Sequence, residues 1–325
     1  MNIAVIGGSG FLGSKLSKRF NDKNLKYKIF DKKTSNENYI FIDVTNKETL
    51  DSIKGSDVII NLAAVHRDDV RPLSLYDDVN VQGAKNICDV AEKYEIKKII
   101  FTSSVAIYGF APLNTGEDGK PNYFNDYGRT KYLAEEVFKQ WQLKDPEKRC
   151  LVIVRPTVIF GEGNRGNVFN LLNQIASKKF IMFGSGQNIK SMAYVENVAA
   201  FIEYSMTFES GVNIFNYIDK PDLNMNELIS ISRKILFNKQ GVGIRLPGFL
   251  GIIIGKFFDF LSLVMRKNLP ISSIRVKKFM SNSQFNSSVD QISFKPPFNL
   301  NEGLEKTLVY EFIEDNSNKE IFETE

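Results

Sequence analysis

Sulfur and imidazole are scarce in this chain: its 325 residues include two cysteines and one histidine. Cys88 and Cys150 lie far apart, with no metal-ligand spacing around either, so a disulfide framework and a zinc site are excluded and each reads as a buried thiol. A reduced, cytoplasmic setting without a metal is expected. Also missing is a basic stretch leading into a cleavable apolar one. MNIAVIGG enters a β-branched run at once, and no secretory signal is expected. Charge of one sign is short as well. Lys and Arg number 42 against 38 Asp and Glu, and a net charge of +4 is too small to imply nucleic acid as a partner. Basic residues gather only in RKNLPISSIRVKK (266–278). There is no internal repeat, and only EDNSNKEIFETE (314–325) has the makeup of a solvated, flexible tail. The remainder is long enough to bury a large core in one large or two unequal domains.

Short apolar runs alternate with helical patterns through the first half: NIAVIG (2–7), KYKIFD (26–31), DVIINLAA (57–64), KKIIFTSS (97–104) and CLVIVRP (150–156). Runs that are apolar without strict alternation suit strands buried on both faces of a parallel sheet, joined by right-handed helical crossovers. The pattern predicts an α/β fold, a Rossmann-type doubly wound parallel sheet over residues 1–165. Beyond it come glycine-rich loops, helices at 167–178 and 225–237, and NIFNYID (213–219) as a late strand rejoining the sheet. A smaller C-terminal substrate domain is expected from 166–189 and 221–313, with 190–220 returning to the first domain.

IAVIGGSGFLGSKL is a strand, a glycine loop and a helix start. Gly7, Gly10 and Gly13 permit a tight turn and close approach of a pyrophosphate to the helix N-terminus, with Phe11 and Leu12 opening the helix beside it. A second strand ends in Asp31, eighteen residues after Gly13, where a carboxylate accepts hydrogen bonds from an adenosine ribose. The cofactor is expected to be NAD, because a carboxylate repels a 2′-phosphate, although Lys32 and Lys33 weaken that preference. Asp43 and Val44 stand where residues reach an adenine. Leu62, Ala63, Ala64 and Pro156 end strands at the sheet's carboxyl edge, where ligands gather. His66 follows as a candidate general base or, on a blander reading, a loop or pocket-wall residue.

DYGRTKYLAEE (126–136) puts Tyr127 and Lys131 four apart, on one helix face. A phenol of pKa near 10 is a poor base at neutral pH, but a nearby ammonium favours the phenolate. FTSSVAIYG (101–109) supplies hydroxyls at the same carboxyl edge. These stretches, with RPTVIFGEGN (155–164), make the sequence similar to the extended short-chain dehydrogenase/reductase family of sugar epimerases and dehydratases over nearly its whole length. The resemblance implies Tyr127 as acid/base, Lys131 tuning it and holding the cofactor, and Ser104 bonded to the reacting hydroxyl. Asn167 is a further substrate-site candidate, and Arg275 is the candidate cation for a substrate diphosphate, with surface or headgroup contact as its alternative use. Members of the family that eliminate water or carboxylate carry an acid within the hydroxyl motif. Thr102–Ala106 has none, which points away from dehydratase and decarboxylase.

HRDDV (66–70), SLYDDVNVQGAKN (74–86), KSMAYVEN (190–197) and SSIRVKKF (272–279) resemble the family's bacterial amino-sugar 4-epimerases. The partner that this implies is a lipid-linked or nucleotide-linked amino sugar, N-acetylglucosamine on diphospho-undecaprenol or on UDP. An NAD(P)-dependent keto-sugar reductase would use the same three residues, and a non-catalytic dinucleotide sensor would need none of them. A homodimer is a further possibility that the sequence leaves open.

GFLGIIIGKFFDFLSLVM (248–265) comes close to the makeup of a membrane-spanning helix, but it is short and contains Lys256 and Asp259, each costing a few kcal/mol at a bilayer centre. It reads instead as a helix lying in a membrane surface, with residues 248–278 as the contact and Arg266, Lys267, Arg275, Lys277 and Lys278 available for anionic headgroups. That puts the protein peripherally on the inner face of the cell membrane. Gly248, Gly251, Gly255, Asp259 and Ser262 fall on one side. Leu250, Ile253, Ile254, Phe257, Phe258 and Leu261 fall on the other, with Phe249, Ile252 and Leu263 intruding on the small-residue side. Internal packing or a dimer contact is the competing use of such a helix.

Overall fold

Branched apolar runs form the strands of a computed structural model that describes residues 1–33, 38–67, 70–265, 273–315 and 321–322. In chain order these are β1 (Asn2–Ile6), α1 (Phe11–Asp22), β2 (Lys26–Asp31), β3 (Tyr39–Phe41), β4 (Val58–Asn61), α2 (Gly83–Lys93), β5 (Lys98–Thr102), α3 (Asp126–Leu143), β6 (Cys150–Pro156), α4 (Asn167–Ala176), α5 (Val195–Ser205), β7 (Gly211–Tyr217) and α6 (Met225–Phe237). The strands make one parallel sheet in the order β7-β6-β5-β4-β1-β2-β3. The chain starts at the middle, runs out to β3, crosses back to β4 and runs out the other way. Strand order therefore reverses between β1 and β4, which opens a crevice at their carboxyl ends. β7 is the late strand expected near 213–219, paired along its length with β6. At three residues, β3 is too short for its apolar pattern to stand out in the sequence.

Alternate strand residues feed opposite faces, and both faces are apolar, which is why the runs do not alternate in polarity. Ile59, Ile99, Phe101 and Ile153 pack with Ile87 and Ala91 of α2 and Phe138 and Trp141 of α3. Val5, Ile60, Ile100 and Val152 pack with Leu16 and Phe20 of α1 and Val198 and Phe201 of α5. Each such side chain stabilises by roughly 1.5–3 kcal/mol. A third cluster off the sheet joins Leu172 of α4, Leu228 and Ile229 of α6, and Leu300, Leu304 and Leu308. Capping boxes start two of these helices: Asn224 exchanges hydrogen bonds with Glu227, and Asn299 with Glu302, each satisfying two otherwise orphaned N–H donors. Near the chain end, the Phe322 N–H donates to Gly163 O (2.9 Å), its carbonyl accepts from Arg165 N–H (3.0 Å), and its ring lies 5.7 Å from Phe11.

Residues Gly248–Met265 form a single helix, α7, packed along α8 (Ser273–Met280). Among the described residues no helix is long and apolar enough to cross a membrane. The glycine face of α7 turns inward: a Cβ on Gly251 would stand 2.8 Å from the Phe183 ring and 3.1 Å from Val276 Cγ1. Asp259, the charge inside the apolar run, accepts from Ser273 N–H (3.2 Å) and from its hydroxyl, capping α8. The outward face differs from the sequence expectation. Phe249, Ile252 and Leu263 do not intrude on the packed side but lie in the solvent-exposed stripe with Ile253, Phe257 and Phe260. Of the apolar side expected to face outward, Ile253 and Phe257 are exposed but Leu250, Ile254, Phe258 and Leu261 are half-buried, so the packed strip is wider than the glycines and the exposed stripe is turned around the helix. Residues 266–272 and the Arg275 side chain, expected to meet headgroups or diphosphate, lie outside the described residues.

A buried ion pair ties the sheet's carboxyl edge together. Arg155 at the end of β6 donates from Nε and Nη2 to both oxygens of Glu135 on α3 (2.9 and 2.6 Å), and Ser103 Oγ just past β5 donates to the same carboxylate (2.5 Å). The remaining Arg155 nitrogen donates to the Tyr108 hydroxyl (2.6 Å) and the Glu117 carbonyl (3.0 Å), and Tyr108 donates to Asn216 Oδ1 on β7 (3.0 Å). Removing one partner from such a pair leaves an uncompensated buried charge. Arg155→Met is therefore expected to lower unfolding free energy by about 3–5 kcal/mol in urea titration, and Arg155→Met combined with Glu135→Leu is expected to recover at least half of that loss.

Candidate active site

Three glycines shape the loop between β1 and α1, and they act differently. Gly7, at φ +77°, lets the β4 end approach: a Cβ there would meet Ala63 N at 2.5 Å. A Cβ on Gly13 would meet the Gly8 backbone at 2.4 Å, so this glycine sets how closely α1 packs on the loop. Gly10 is the exposed N-cap of α1 and makes no side-chain cap, and the first helical turn carries no acid. The unpaired N–H groups of this turn are thus open to an anion. Phe11 is buried and Leu12 half-buried beneath the loop.

Asp31 ends β2 beside the loop, where its carboxylate accepts from Ser9 N–H (3.0 Å) and Lys33 N–H (3.1 Å). Lys32, which weakens the preference for NAD in the sequence, is bound to Asp43 at 2.6 Å. Burial pushes the Asp43 carboxyl upward, but hydrogen bonds from Lys32 and Thr45 outweigh it and hold the group below the usual range. The Lys32 charge beside Asp31 is therefore already matched, whereas Lys33 is exposed and its backbone N–H alone meets Asp31. Val44 is buried, its carbonyl held by Asn86 Nδ2 (2.8 Å). Leu62, Ala63 and Ala64 follow β4 across the crevice from the glycine loop, and Asn61 Oδ1 fixes their path by accepting from Ala63 N–H (3.1 Å). A dinucleotide fits this set: an uncapped helix N-terminus for its diphosphate, a strand-end carboxylate for its ribose, and the Thr102 hydroxyl, buried with no hydrogen-bond partner among the described residues.

Ser104 follows β5 and caps a short turn, Val105–Tyr108, by accepting from Ala106 N–H (3.1 Å). Tyr127 is the second residue of α3, whose N-cap Asn125 accepts from Gly128 N–H (2.9 Å). Gly128 brings the two elements together: a Cβ there would stand 2.5 Å from the Ala106 carbonyl oxygen, so only glycine lets the Tyr127 turn rest on the Ser104 turn. Lys131, one turn on, is buried with its ammonium nitrogen 4.4 Å from the Phe101 ring centre. Burial lowers its pKa to about 7, with the Glu135 charge opposing that shift. Pro156 ends β6 at the same edge.

Asn167 is exposed at the first position of α4, and no contact given for it joins it to this group. His66 is exposed beyond β4. Three residues that support the site escaped the sequence reading. Asn80 is buried and clamps the segment after β4 to α3, bonding Val65 through both N–H and C=O (2.9 and 3.0 Å) and Thr130 Oγ1 (2.9 Å). Glu135 and Arg155 are the others. Glu135 falls four residues after Lys131, a spacing that could have marked it; Arg155 and Asn80 find their partners only through the fold.

The chain resembles known proteins in sequence and in shape. Over 322 residues it is 47% identical to the N-acetyl-alpha-D-glucosaminyl-diphospho-ditrans,octacis-undecaprenol 4-epimerase of Escherichia coli O157:H7, covering 96% of each chain. Its fold superposes on the UDP-N-acetylglucosamine 4-epimerase of Bacillus cereus with a TM-score of 0.75 at 17% identity, covering 95% of this chain and 98% of that one. A UDP-glucuronic acid 4-epimerase of the same organism, in complex with NAD, superposes with a TM-score of 0.71 at 20% identity over the same shares. Residues 3–216 match the NAD dependent epimerase/dehydratase family, and the chain belongs to it.

Proposed function

We propose that this protein epimerises N-acetylglucosamine to N-acetylgalactosamine at C4 while the sugar is carried on diphospho-undecaprenol. The observation that carries this reading is the 47% identity to an epimerase of that description across 96% of both chains. Tyr127, at the mouth of the crevice, takes the proton of the C4 hydroxyl through its phenolic oxygen, and Ser104 holds that hydroxyl by hydrogen bonding. NAD, when bound, accepts hydride from C4 and returns it to the other face of the transient 4-keto sugar. Lys131, one helical turn from Tyr127, supplies an amine that favours the phenolate when protonated and bonds the cofactor ribose. Thr102–Ala106 offers no carboxylate, so no second acid/base is placed to eliminate a neighbouring group. On this reading residues 1–165 with 190–220 bind the dinucleotide, and 166–189 with 221–313 shape the sugar side.

The product feeds surface polysaccharide (O-antigen) assembly on this reading, and the enzyme meets its substrate at the inner face of the cell membrane. The exposed stripe of α7 supports that placement: six large apolar side chains, with Lys256 among them, are exposed on one face of a helix whose glycines pack inward. Such a helix lies in a lipid surface rather than across it.

Purified protein without added cofactor is expected to convert GlcNAc-diphospho-undecaprenol and not UDP-GlcNAc when the 4-epimers of both products are resolved; conversion of the nucleotide sugar alone would refute the lipid-linked assignment. In sedimentation with phosphatidylethanolamine/phosphatidylglycerol vesicles, Ile253→Glu with Phe257→Glu should weaken binding at least about tenfold. Lys131 makes a pH-dependent prediction. An unfolded lysine titrates near 10.4, whereas the buried amine titrates at about 7. Between those values the unfolded state holds more protons, so stability of the cofactor-free protein rises with pH. Lys131→Met should flatten that slope in urea titrations, raise stability at pH 7 by on the order of 1–3 kcal/mol, and cut turnover by about 100-fold or more.

A further inference from the structure

Two exposed phenylalanines stand beside the turns that carry Ser104 and Tyr127. Phe110 follows the Val105–Tyr108 turn that Ser104 caps, and Phe124 lies three residues before Tyr127. The two segments are held together: Asn122 N–H donates to Ile107 O (2.8 Å), and a Cβ on Gly109 would stand 2.0 Å from Asn122 O. The rings meet at 5.0 Å, yet Phe110 is 63% and Phe124 49% exposed. Leaving two such rings in water forfeits much of the stabilisation that their burial would give. They bury nothing of the core.

A cation stands against the same pair. Lys278, in the last turn of α8, places its ammonium nitrogen 4.9 Å from the Phe124 ring centre. Its own carbonyl accepts from Lys190 Nζ (2.9 Å), so two ammonium-bearing side chains meet at one helix end. α8 packs along α7, whose outward stripe is apolar. Beside the proposed acid/base there is therefore an exposed aromatic pair with a cation against it, a combination that matches a diphosphate carrying hydrocarbon.

Resting on the lipid-linked reading above, we propose that Phe110 and Phe124 carry the first isoprene units of the substrate as they leave the site, that Lys278 faces its diphosphate, and that this surface selects a prenyl-linked sugar over a nucleotide-linked one. The cation against the exposed rings is complementary to a diphosphate, and the 47% identity to an epimerase of a diphospho-undecaprenol sugar favours hydrocarbon as the occupant over a stacked base.

The test is a chain-length ratio: kcat/KM on GlcNAc-diphospho-undecaprenol divided by kcat/KM on an analogue with a two-isoprene arm, both in the same detergent. Because it is a ratio, any fraction of misfolded enzyme cancels. In Phe110→Ser/Phe124→Ser this ratio should fall about tenfold relative to wild type, through KM, with leucine at both positions restoring most of it. Should the double variant be inactive on both probes, Phe110→Ser alone is read in the same way. A ratio unchanged in the double variant, with a wild type that turns over the undecaprenyl substrate, overturns this proposal alone. Wild-type silence on both prenyl-linked probes overturns it together with the lipid-linked reading.

Discussion

The carboxyl edge of the sheet is organised around one buried charge pair. Arg155 and Glu135 come from different elements, and through Ser103, Tyr108 and Asn216 their hydrogen bonds reach the ends of β5, β6 and β7 and the length of α3. Two charges in an apolar interior offset their desolvation only when every lone pair and proton is used. Here all three guanidinium nitrogens donate, and both carboxylate oxygens accept. The pair therefore tolerates little rotation of α3, and α3 is the helix that carries Tyr127 and Lys131. The catalytic spacing that the sequence advertises is aimed by residues at positions 135 and 155, which touch no proposed substrate atom.

A second charge pair works on selectivity. Lys32 lies next to Asp31, and in the sequence it reads as a possible attractor for a 2′-phosphate. In the fold its ammonium is occupied by Asp43, leaving Asp31 to present its carboxylate to the ribose side of the crevice. The same preference for NAD suits a reaction in which the cofactor is reoxidised in each cycle, since a resident cofactor need not be exchanged with a reduced pool.

What the sequence could tell follows from the range of each interaction. The glycine loop, Tyr127 with Lys131, and the buried strands were legible because their signals are local: a turn needing glycine, a helical repeat of four, an unbroken apolar run. The partnership of Glu135 with Arg155 was not, because it joins a helix to a strand twenty residues on, and neither residue type is unusual where it stands. Asn80 was hidden for the same reason, its partners Val65 and Thr130 lying fifteen and fifty positions away. β3 was too short to show a period. On α7 the apolar makeup was legible but the outward side was not: packing on Phe183, Val276 and Met280 leaves Leu250, Ile254, Phe258 and Leu261 half-buried and turns Phe249, Ile252 and Leu263 outward.

Phe322 gives the far end of the polypeptide an influence on its beginning. Its backbone bonds on both sides of Asn164, to Gly163 and Arg165, and its ring rests near Phe11, the first helical residue after the glycine loop. Residues separated by more than three hundred positions thus share one small contact, and the turn after β1 is braced by a segment remote from it in sequence. A chain without Phe322 would hold the complete glycine motif yet lose this support, so the loop's rigidity is not a property of the motif alone.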